Sequence, residues 1–334
     1  MCNAAIGRVS HPYGASRFDR TTRNTTMTRM MYDDVSILSA PAMGQVFPRL
    51  TEPAAFPGVM AQPAHGQRML NLSALCVDRH LGDHADRPAL SGQAADARPI
   101  SWRDLHERVC RLANALTDQG VQRGDRVAIH LPLVVEGVVA VLACMRIGAV
   151  HVVLPPALGA APLGERLADC GAVAVLTGGE TIRDTGPAPL KATLDAALDA
   201  AGSRCRVRLV LVVAADDADV TMRPGRDHRH DAVVDWYEPD YPPEAMYEDD
   251  PLFLLYPAGR TGRGHGVTYT AGAYGRLTSY TMGMLSPSGD AGIPGTLLEM
   301  AWNTGQTALI VGILAKGDTV AINGYARTGA ASGH

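Results

Sequence analysis

Lysine is almost absent from this chain of 334 residues. Lys191 and Lys316 are its only lysines, so 28 of its 30 basic residues are arginines. Any chemistry that needs a lysine amine must therefore use one of two positions. An excess of charge of either sign is also missing, since 34 acidic residues leave a net charge of -4. This balance excludes the strongly basic surface of a nucleic-acid binder or an anionic-membrane binder.

Paired cysteines and long apolar runs are missing as well. The six cysteines lie far apart with no C-x-x-C spacing, so neither a disulfide framework nor a zinc framework is expected. The apolar run of residues 131–163 is interrupted by Glu136, Arg146 and His151, and the run of residues 307–315 is too short to cross a bilayer. We therefore predict a cytoplasmic protein with neither a membrane nor a nucleic acid as partner.

The first part of the chain has no helical or strand periodicity. Residues 1–67 are rich in Thr, Met, Pro and Gly, which predicts a poorly structured leader. Five arginines and one acid before residue 33 give a weak similarity to a transit peptide. Two other interpretations are favoured over a transit peptide. Either the segment is an unstructured leader, or translation starts later, at Met27, Met30 or Met31.

From residue 68 onward, short apolar runs alternate with amphipathic stretches. Alternation on this scale is typical of βαβ units. We therefore predict an α/β fold whose parallel sheet is covered by helices on both faces. The predicted strands are Arg126–Leu131, Val150–Leu154, Ala172–Thr177, Val207–Val213, Pro251–Tyr256 and Thr319–Asn323. The predicted helices are Ser101–Asp118, Val134–Ile147, Pro162–Cys170, Leu190–Ala201 and Thr304–Ala315. The polar segment Ala214–Asp250 is predicted to be a connecting loop.

A glycine-rich segment follows the predicted strand Pro251–Tyr256. It reads Pro257-Ala-Gly-Arg-Thr-Gly-Arg-Gly-His-Gly266, and open α/β sheets bind phosphate at such places. The spacing matches neither the P-loop pattern nor the dinucleotide pattern. The residues alone leave an anion site and a plain surface turn about equally probable.

Two clusters of histidines and acids are weaker candidates. Asp227-His-Arg-His-Asp231 contains residue types that bind zinc or nickel, but it lies in a polar segment with no further Cys/His cluster. Solvated charge is therefore the favoured interpretation. His80 and His84 are expected to be structural or exposed. A G-x-S-x-G element that would indicate a serine hydrolase is missing.

Several segments together resemble the adenylate-forming enzymes, and among them the acetyl-coenzyme A synthetases. These segments span about residues 69–324 and include Trp102-Arg-Asp-Leu-His-Glu107, Gly124-Asp-Arg-Val-Ala-Ile129, Leu142-Ala-Cys-Met-Arg-Ile-Gly-Ala-Val-His151, Asp250-Pro-Leu-Phe253 and Trp302-Asn-Thr-Gly305. The resemblance implies the large N-terminal domain of such an enzyme. It also implies a reaction that joins acetate, or a slightly longer acid such as propionate, to coenzyme A with ATP and magnesium through an acyl-adenylate.

The resemblance also implies positions for binding residues. The ATP phosphates are assigned to Gly259, Thr261, Gly262, Arg263 and Gly266, and coenzyme A to Arg183 and Thr304. No catalytic residue and no metal ligand is assigned.

The phosphate loop departs from the family pattern. That pattern reads Tyr-Thr-Ser-Gly-Ser-Thr-Gly-Lys-Pro-Lys-Gly, so its two serine positions carry Ala258 and Arg260, and its two lysine positions carry Arg263 and His265. Arginine keeps the positive charge but not the compact ammonium group. Neither lysine of the chain aligns with the family's adenylation lysine.

These departures lead to a prediction about organisation and activity. Residues 68–325 are predicted to be a truncated AMP-binding domain and residues 326–334 a disordered tail, with the family's C-terminal lid domain absent. We predict that the chain is inactive by itself. The alternatives are a working synthetase with a second chain supplying the missing half, a pseudoenzyme that binds a nucleotide or a partner, and a decayed product that scarcely folds.

Overall fold

A computed structural model describes residues 71–92, 98–179, 181–183, 186–214, 219–256, 265–285 and 295–322. The predicted leader of residues 1–67 and the predicted tail of residues 326–334 lie outside the described residues. The α-helices are α1 (Leu72–Cys76), α2 (Trp102–Asp118), α3 (Val135–Arg146), α4 (Ala160–Cys170), α5 (Leu190–Ala201), α6 (His230–Val234), α7 (Ala271–Leu285), α8 (Gly295–Asn303) and α9 (Ala308–Lys316).

The strands form a seven-stranded sheet, a three-stranded sheet and a short hairpin. Their bounds are β1 (Pro88–Gly92), β2 (Ile100–Ser101), β3 (Arg126–His130), β4 (Val150–Val153), β5 (Ala174–Gly178), β6 (Thr181–Arg183), β7 (Gly186–Ala188), β8 (Leu209–Val213), β9 (Asp227–Arg229), β10 (Pro251–Leu255), β11 (Val267–Thr270) and β12 (Val320–Ile322). The large sheet has the order β11-β10-β4-β3-β5-β8-β9, and all its neighbours are parallel except β10 and β11. The predicted α/β class is confirmed.

Helices cover both faces of the large sheet. On one face α4 and α5 pack over alternate residues of β3, β4, β5 and β8 in a single apolar cluster. These helices approach closely, since a Cβ on Gly164 would lie 2.7 Å from the Ala197 carbonyl oxygen. On the other face, the buried His151 of β4 contacts Thr307, which precedes α9, and Tyr274 of α7.

Helix α2 shows how local sequence determines an element boundary. The Ser101 hydroxyl accepts a hydrogen bond from the Asp104 backbone amide at 3.1 Å, and the Asp104 carboxylate accepts one from the Ser101 amide at 3.2 Å. This reciprocal pair is a capping box, which satisfies amides that the helix leaves unpaired. The predicted start and end of this helix are confirmed.

Two predicted elements were wrong. The segment Ala214–Asp250 is not only a connection, because β9 adds a strand to the sheet beside β8 and α6 follows it. The helix predicted over Thr304–Ala315 begins only at Ala308, while Thr304 follows the separate helix α8. The break lies at Gly305, whose φ of +77° belongs to the left-handed region that ends helices.

Candidate functional site

The glycine-rich segment connects two antiparallel strands at one edge of the sheet. Strand β10 ends at Leu255, strand β11 begins at Val267, and these two residues are register partners. Gly259, Thr261, Gly262 and Arg263 lie outside the described residues, so their assignment to the ATP phosphates stays a prediction. Gly266 is described, and it lies where the connection joins β11.

The two ends of this connection meet at one carboxylate, that of Asp169 in the last turn of α4. The Tyr256 hydroxyl donates to Asp169 Oδ2 at 2.7 Å, and the Gly266 amide donates to the same oxygen at 3.1 Å. Asp169 Oδ1 lies 3.0 Å from His265 Nδ1. We call Asp169, Tyr256, His265 and Gly266 the loop-neck cluster.

Helix α4 holds Tyr256 by two further contacts. The hydroxyl oxygen lies 2.9 Å from the Arg166 carbonyl oxygen, and the Arg166 guanidinium lies over the aromatic ring at 5.2 Å from its centroid. The Tyr256 side chain is buried, and burial raises its pKa well above the usual range, as do the neighbouring Cys170 and Asp169. Tyr256 therefore stays protonated at neutral pH and acts as a donor.

The carboxyl group of Asp169 stays charged. Partial burial alone would raise its pKa, but the hydrogen bonds from Tyr256, His265 and Gly266 outweigh burial and lower it. A fixed negative charge beside the Gly266 amide disfavours a phosphate there. The charge of Asp169 weighs against the assignment of Gly266 to the ATP phosphates, which stays a prediction.

Gly266 also has a steric role in the loop-neck cluster. A Cβ at this position would overlap with Leu254 Cδ2 on the preceding strand. Any larger residue would push β11 away from β10 or displace Leu254. Glycine therefore allows the two ends of the loop to lie close together.

The element that contains Thr304 lies beside the same end of the sheet. A Cβ on Gly305 would lie 3.2 Å from the Val153 carbonyl oxygen and 3.1 Å from Leu255 Cδ1, at the last residues of β4 and β10. The structure thus brings the predicted coenzyme A residue close to the strand that leads into the glycine loop. The Thr304 hydroxyl lies 2.9 Å from the Met300 carbonyl oxygen and 3.0 Å from that of Ala301, so its proton is used within α8. Its lone pairs remain able to accept a hydrogen bond.

The other predicted coenzyme A residue is described only in its backbone. Arg183 ends β6 and is the register partner of Gly186 in β7. Its side chain lies outside the described part of the structure. The predicted contact of Arg183 with coenzyme A therefore stays a prediction.

The segment Asp227–Asp231 is not a solvated charge cluster, and here the favoured interpretation was wrong. Asp227 is buried and forms ion pairs with Lys191 and Arg226. Across the described ranges, no group of three or more His, Cys, Asp or Glu residues could hold a metal ion. Asp227 therefore belongs to a structural network.

The sequence interpretation missed Asp169 and Arg166. They lie 87 and 90 positions before Tyr256, and an acid near the end of an amphipathic helix looks like an ordinary surface residue. The neighbouring features were visible, because Tyr256 and Gly266 bound the glycine-rich segment. Only the packing of α4 against β10 shows that one carboxylate serves both ends.

In the part of the chain that the structure covers, no helix has the length and apolar character needed to cross a membrane. The five cysteines within that part, Cys76, Cys110, Cys144, Cys170 and Cys205, are free thiols. Burial raises the pKa of Cys144 to about 12 and that of Cys170 to about 11. These thiols are therefore protonated and unreactive at neutral pH.

Residues 77–330 match the family described as AMP-binding enzyme. The chain is similar to proteins named acetyl-coenzyme A synthetase, with 39% identity over 255 residues to that of Xylella fastidiosa (strain Temecula1) and 39% over 258 residues to that of Xanthomonas campestris pv. campestris (strain 8004). The aligned regions cover 75% and 76% of this chain but 39% and 40% of those relatives.

The chain therefore spans about two fifths of the length of the curated relatives that it matches. The family match covers well over half of the chain and includes both the strand that leads into the glycine loop and the loop-neck cluster. On this evidence the chain belongs to the AMP-binding enzyme family, and it is similar over part of their length to proteins named acetyl-coenzyme A synthetase.

Proposed function

We propose that this chain is a nucleotide-binding domain of an AMP-forming acetyl-coenzyme A synthetase, and that its glycine loop binds the phosphates of ATP. The observation that carries the proposal is the loop-neck cluster, which brings both ends of the glycine-rich segment together at the end of β10. Converging backbone amides and nearby arginines are the groups that bind phosphate oxygens.

The described residues are compatible with ATP as a substrate that carries its own magnesium ion. By family resemblance, Mg²⁺ would accompany ATP and bind to its phosphates. Thr304 lies close to the end of β10, where it could accept a hydrogen bond from coenzyme A. The acyl substrate would be a small carboxylate such as acetate or propionate.

Binding can be measured without any turnover. We expect titration calorimetry to show binding of both MgATP and inorganic tripolyphosphate, since the loop contacts only the phosphates. Replacing Arg263→Ala should weaken both about tenfold, because a charge-assisted bond to phosphate is lost. The matched control is Arg79→Ala, which removes an exposed arginine from the segment Asp78–His80. Equal affinities for the Arg263→Ala variant and the unchanged chain would contradict the proposed phosphate site.

Acetate activation by these 334 residues alone is expected to be absent. The relatives' reaction needs an adenylation lysine by family resemblance, and the Nζ of Lys191 is held by Asp195, Asp227 and the Thr221 carbonyl. The other lysine, Lys316, ends α9 beside Asp318. We expect no acetate-dependent or propionate-dependent release of pyrophosphate from the purified chain. Release above the rate of an Arg263→Ala control would show that the chain is an active synthetase.

A further inference from the structure

We propose that Asp169 is a positioning residue that holds the two ends of the glycine loop together in the geometry that binds phosphate. The inference rests on the proposed function in one respect only, namely that the ligand of the loop is a phosphate. The holding of the loop itself follows from contacts that are present without any ligand.

The connection between β10 and β11 is long. The last register pair of the two strands is Leu255 with Val267, so residues 256–266 form a hairpin loop much longer than the usual tight turns. A loop of this length loses considerable conformational entropy when its amides are fixed around an anion. Contacts that fix its ends before the ligand arrives therefore increase affinity.

Asp169 supplies such contacts on both ends at once. One of its oxygens accepts from Tyr256 before the glycine-rich segment and from Gly266 after it, and the other faces His265. Hydrogen bonds to an ionised carboxylate are stronger than those between neutral groups. Asp169 therefore contacts the residues on both sides of the segment 257–264.

The carboxylate sits on a rigid support. Helix α4 packs through Leu163 and Leu167 into the core cluster beneath the sheet, and Tyr256 belongs to the same cluster. The Asp169 side chain itself is about one-third exposed, at 32%. Removing it therefore leaves no core cavity, and the variant should fold.

Amide exchange without nucleotide tests the holding of the loop. In the Asp169→Ala variant we expect the Gly266 amide to exchange about tenfold faster or more, with faster exchange across residues 257–264 as well. Amides of β3 and β5 should be unchanged. The matched control is Glu165→Ala, which removes an exposed carboxylate from the same helix. Unchanged exchange at Gly266 in Asp169→Ala would overturn the proposal.

A second variant distinguishes the loss of the contact between Asp169 and the loop end from a general loss of the fold. Tyr256→Phe keeps the buried ring and removes only the hydroxyl that donates to Asp169. It should show the same change in exchange with a smaller amplitude, and its thermal unfolding should remain cooperative. A Tyr256→Phe loop that exchanges like the unchanged chain would show that Asp169 does not act through both ends.

The affinity for tripolyphosphate tests whether the contacts of Asp169 with the loop ends promote phosphate binding. We expect Asp169→Ala to weaken tripolyphosphate about tenfold although it removes a negative charge, whereas simple electrostatics predicts tighter binding. Equal or tighter binding in Asp169→Ala would overturn the positioning role. If the unchanged chain fails to bind tripolyphosphate while Asp169→Ala alters exchange, the proposed phosphate function is wrong and the holding of the loop by Asp169 stands.

Discussion

Replacing Lys191→Met should lower the free energy of unfolding by about 3 kcal/mol, although Lys191 is assigned no part in the proposed chemistry. Its ammonium group is buried and lies 2.6 Å from Asp195 and 2.8 Å from Asp227. The same group donates to the Thr221 carbonyl at 2.9 Å. Methionine keeps the aliphatic volume but leaves two carboxylates with one cation fewer in a site largely closed to water.

The remaining cation limits the size of this effect. Arg226 pairs with both Asp195 and Asp227, and the Arg223 amide donates to Asp227 at 2.8 Å. Burial alone would raise the pKa of Asp227, but the bonds from Arg226 and Lys191 outweigh burial and lower it. Because Arg226 stays in place, we expect a loss of stability at the lower end of the range that is typical when one partner of a buried ion pair is removed.

The other lysine provides the matched control. Lys316 is about half exposed and pairs at 3.3 Å with Asp318, which is also exposed. Exposed pairs contribute little, so Lys316→Met should change stability by less than about 0.5 kcal/mol. Urea unfolding at pH 7 measures both variants. Equal losses in the two variants would show that the buried network around Lys191 does not stabilise the fold.

The second large effect is a loss of stability between pH 7.5 and pH 5, to which His151 contributes about 2 kcal/mol. Burial lowers the pKa of His151 to about 3, and contact with the Leu252 backbone opposes this only in part. In the unfolded chain the pKa is about 6.5. Above that value the imidazole is neutral in both states and contributes no pH dependence.

Below pH 6.5 the two states differ. The unfolded chain takes up a proton that the folded chain cannot accept, so the free energy of unfolding falls as pH decreases toward 3, by up to about 1.4 kcal/mol per pH unit. Burial also lowers the pKa values of His80, His106 and His230. Their protonation therefore destabilises the folded state in the same direction.

A variant isolates the share of His151. The Nε2 atom of His151 lies 3.2 Å from the Thr307 hydroxyl, which also lies 2.6 Å from the Tyr274 hydroxyl. His151→Gln can keep the contact with Thr307 but does not titrate. Urea unfolding of this variant at pH 7.5, 6 and 5 should show a pH dependence smaller by about 2 kcal/mol over that range. The same pH dependence in His151→Gln as in the unchanged chain would contradict the assignment to His151.

Much of the fold could be predicted because each element carries its own signal. The four apolar segments that became β3, β4, β5 and β8 are buried on both faces of the sheet, so they read as continuous hydrophobic runs. The start of α2 was equally visible, since Ser101 and Asp104 occupy the two positions of a capping box. Each of these signals is carried by residues that lie within a few positions of one another.

Strand β9 carried no such signal. Asp227-His-Arg229 is polar, and it forms a strand only because residues 210–212 of β8 present backbone donors and acceptors with which residues 227–229 pair. A short polar segment has little intrinsic preference for the extended conformation. The pairing is a property of the sheet rather than of the segment.

The features of the candidate site can likewise be divided into those visible in the sequence and those visible only in the fold. From the residues alone it is clear that a glycine-rich segment follows a buried strand, that the chain resembles the acetyl-coenzyme A synthetases, and that only two lysines are available. The contacts of Asp169 with the two ends of that segment, and the ion pair of Lys191 with Asp227, become visible only in the folded chain. Both contacts join residues that are dozens of positions apart, and their strength comes from partial or complete exclusion of water, which no local pattern of residues records.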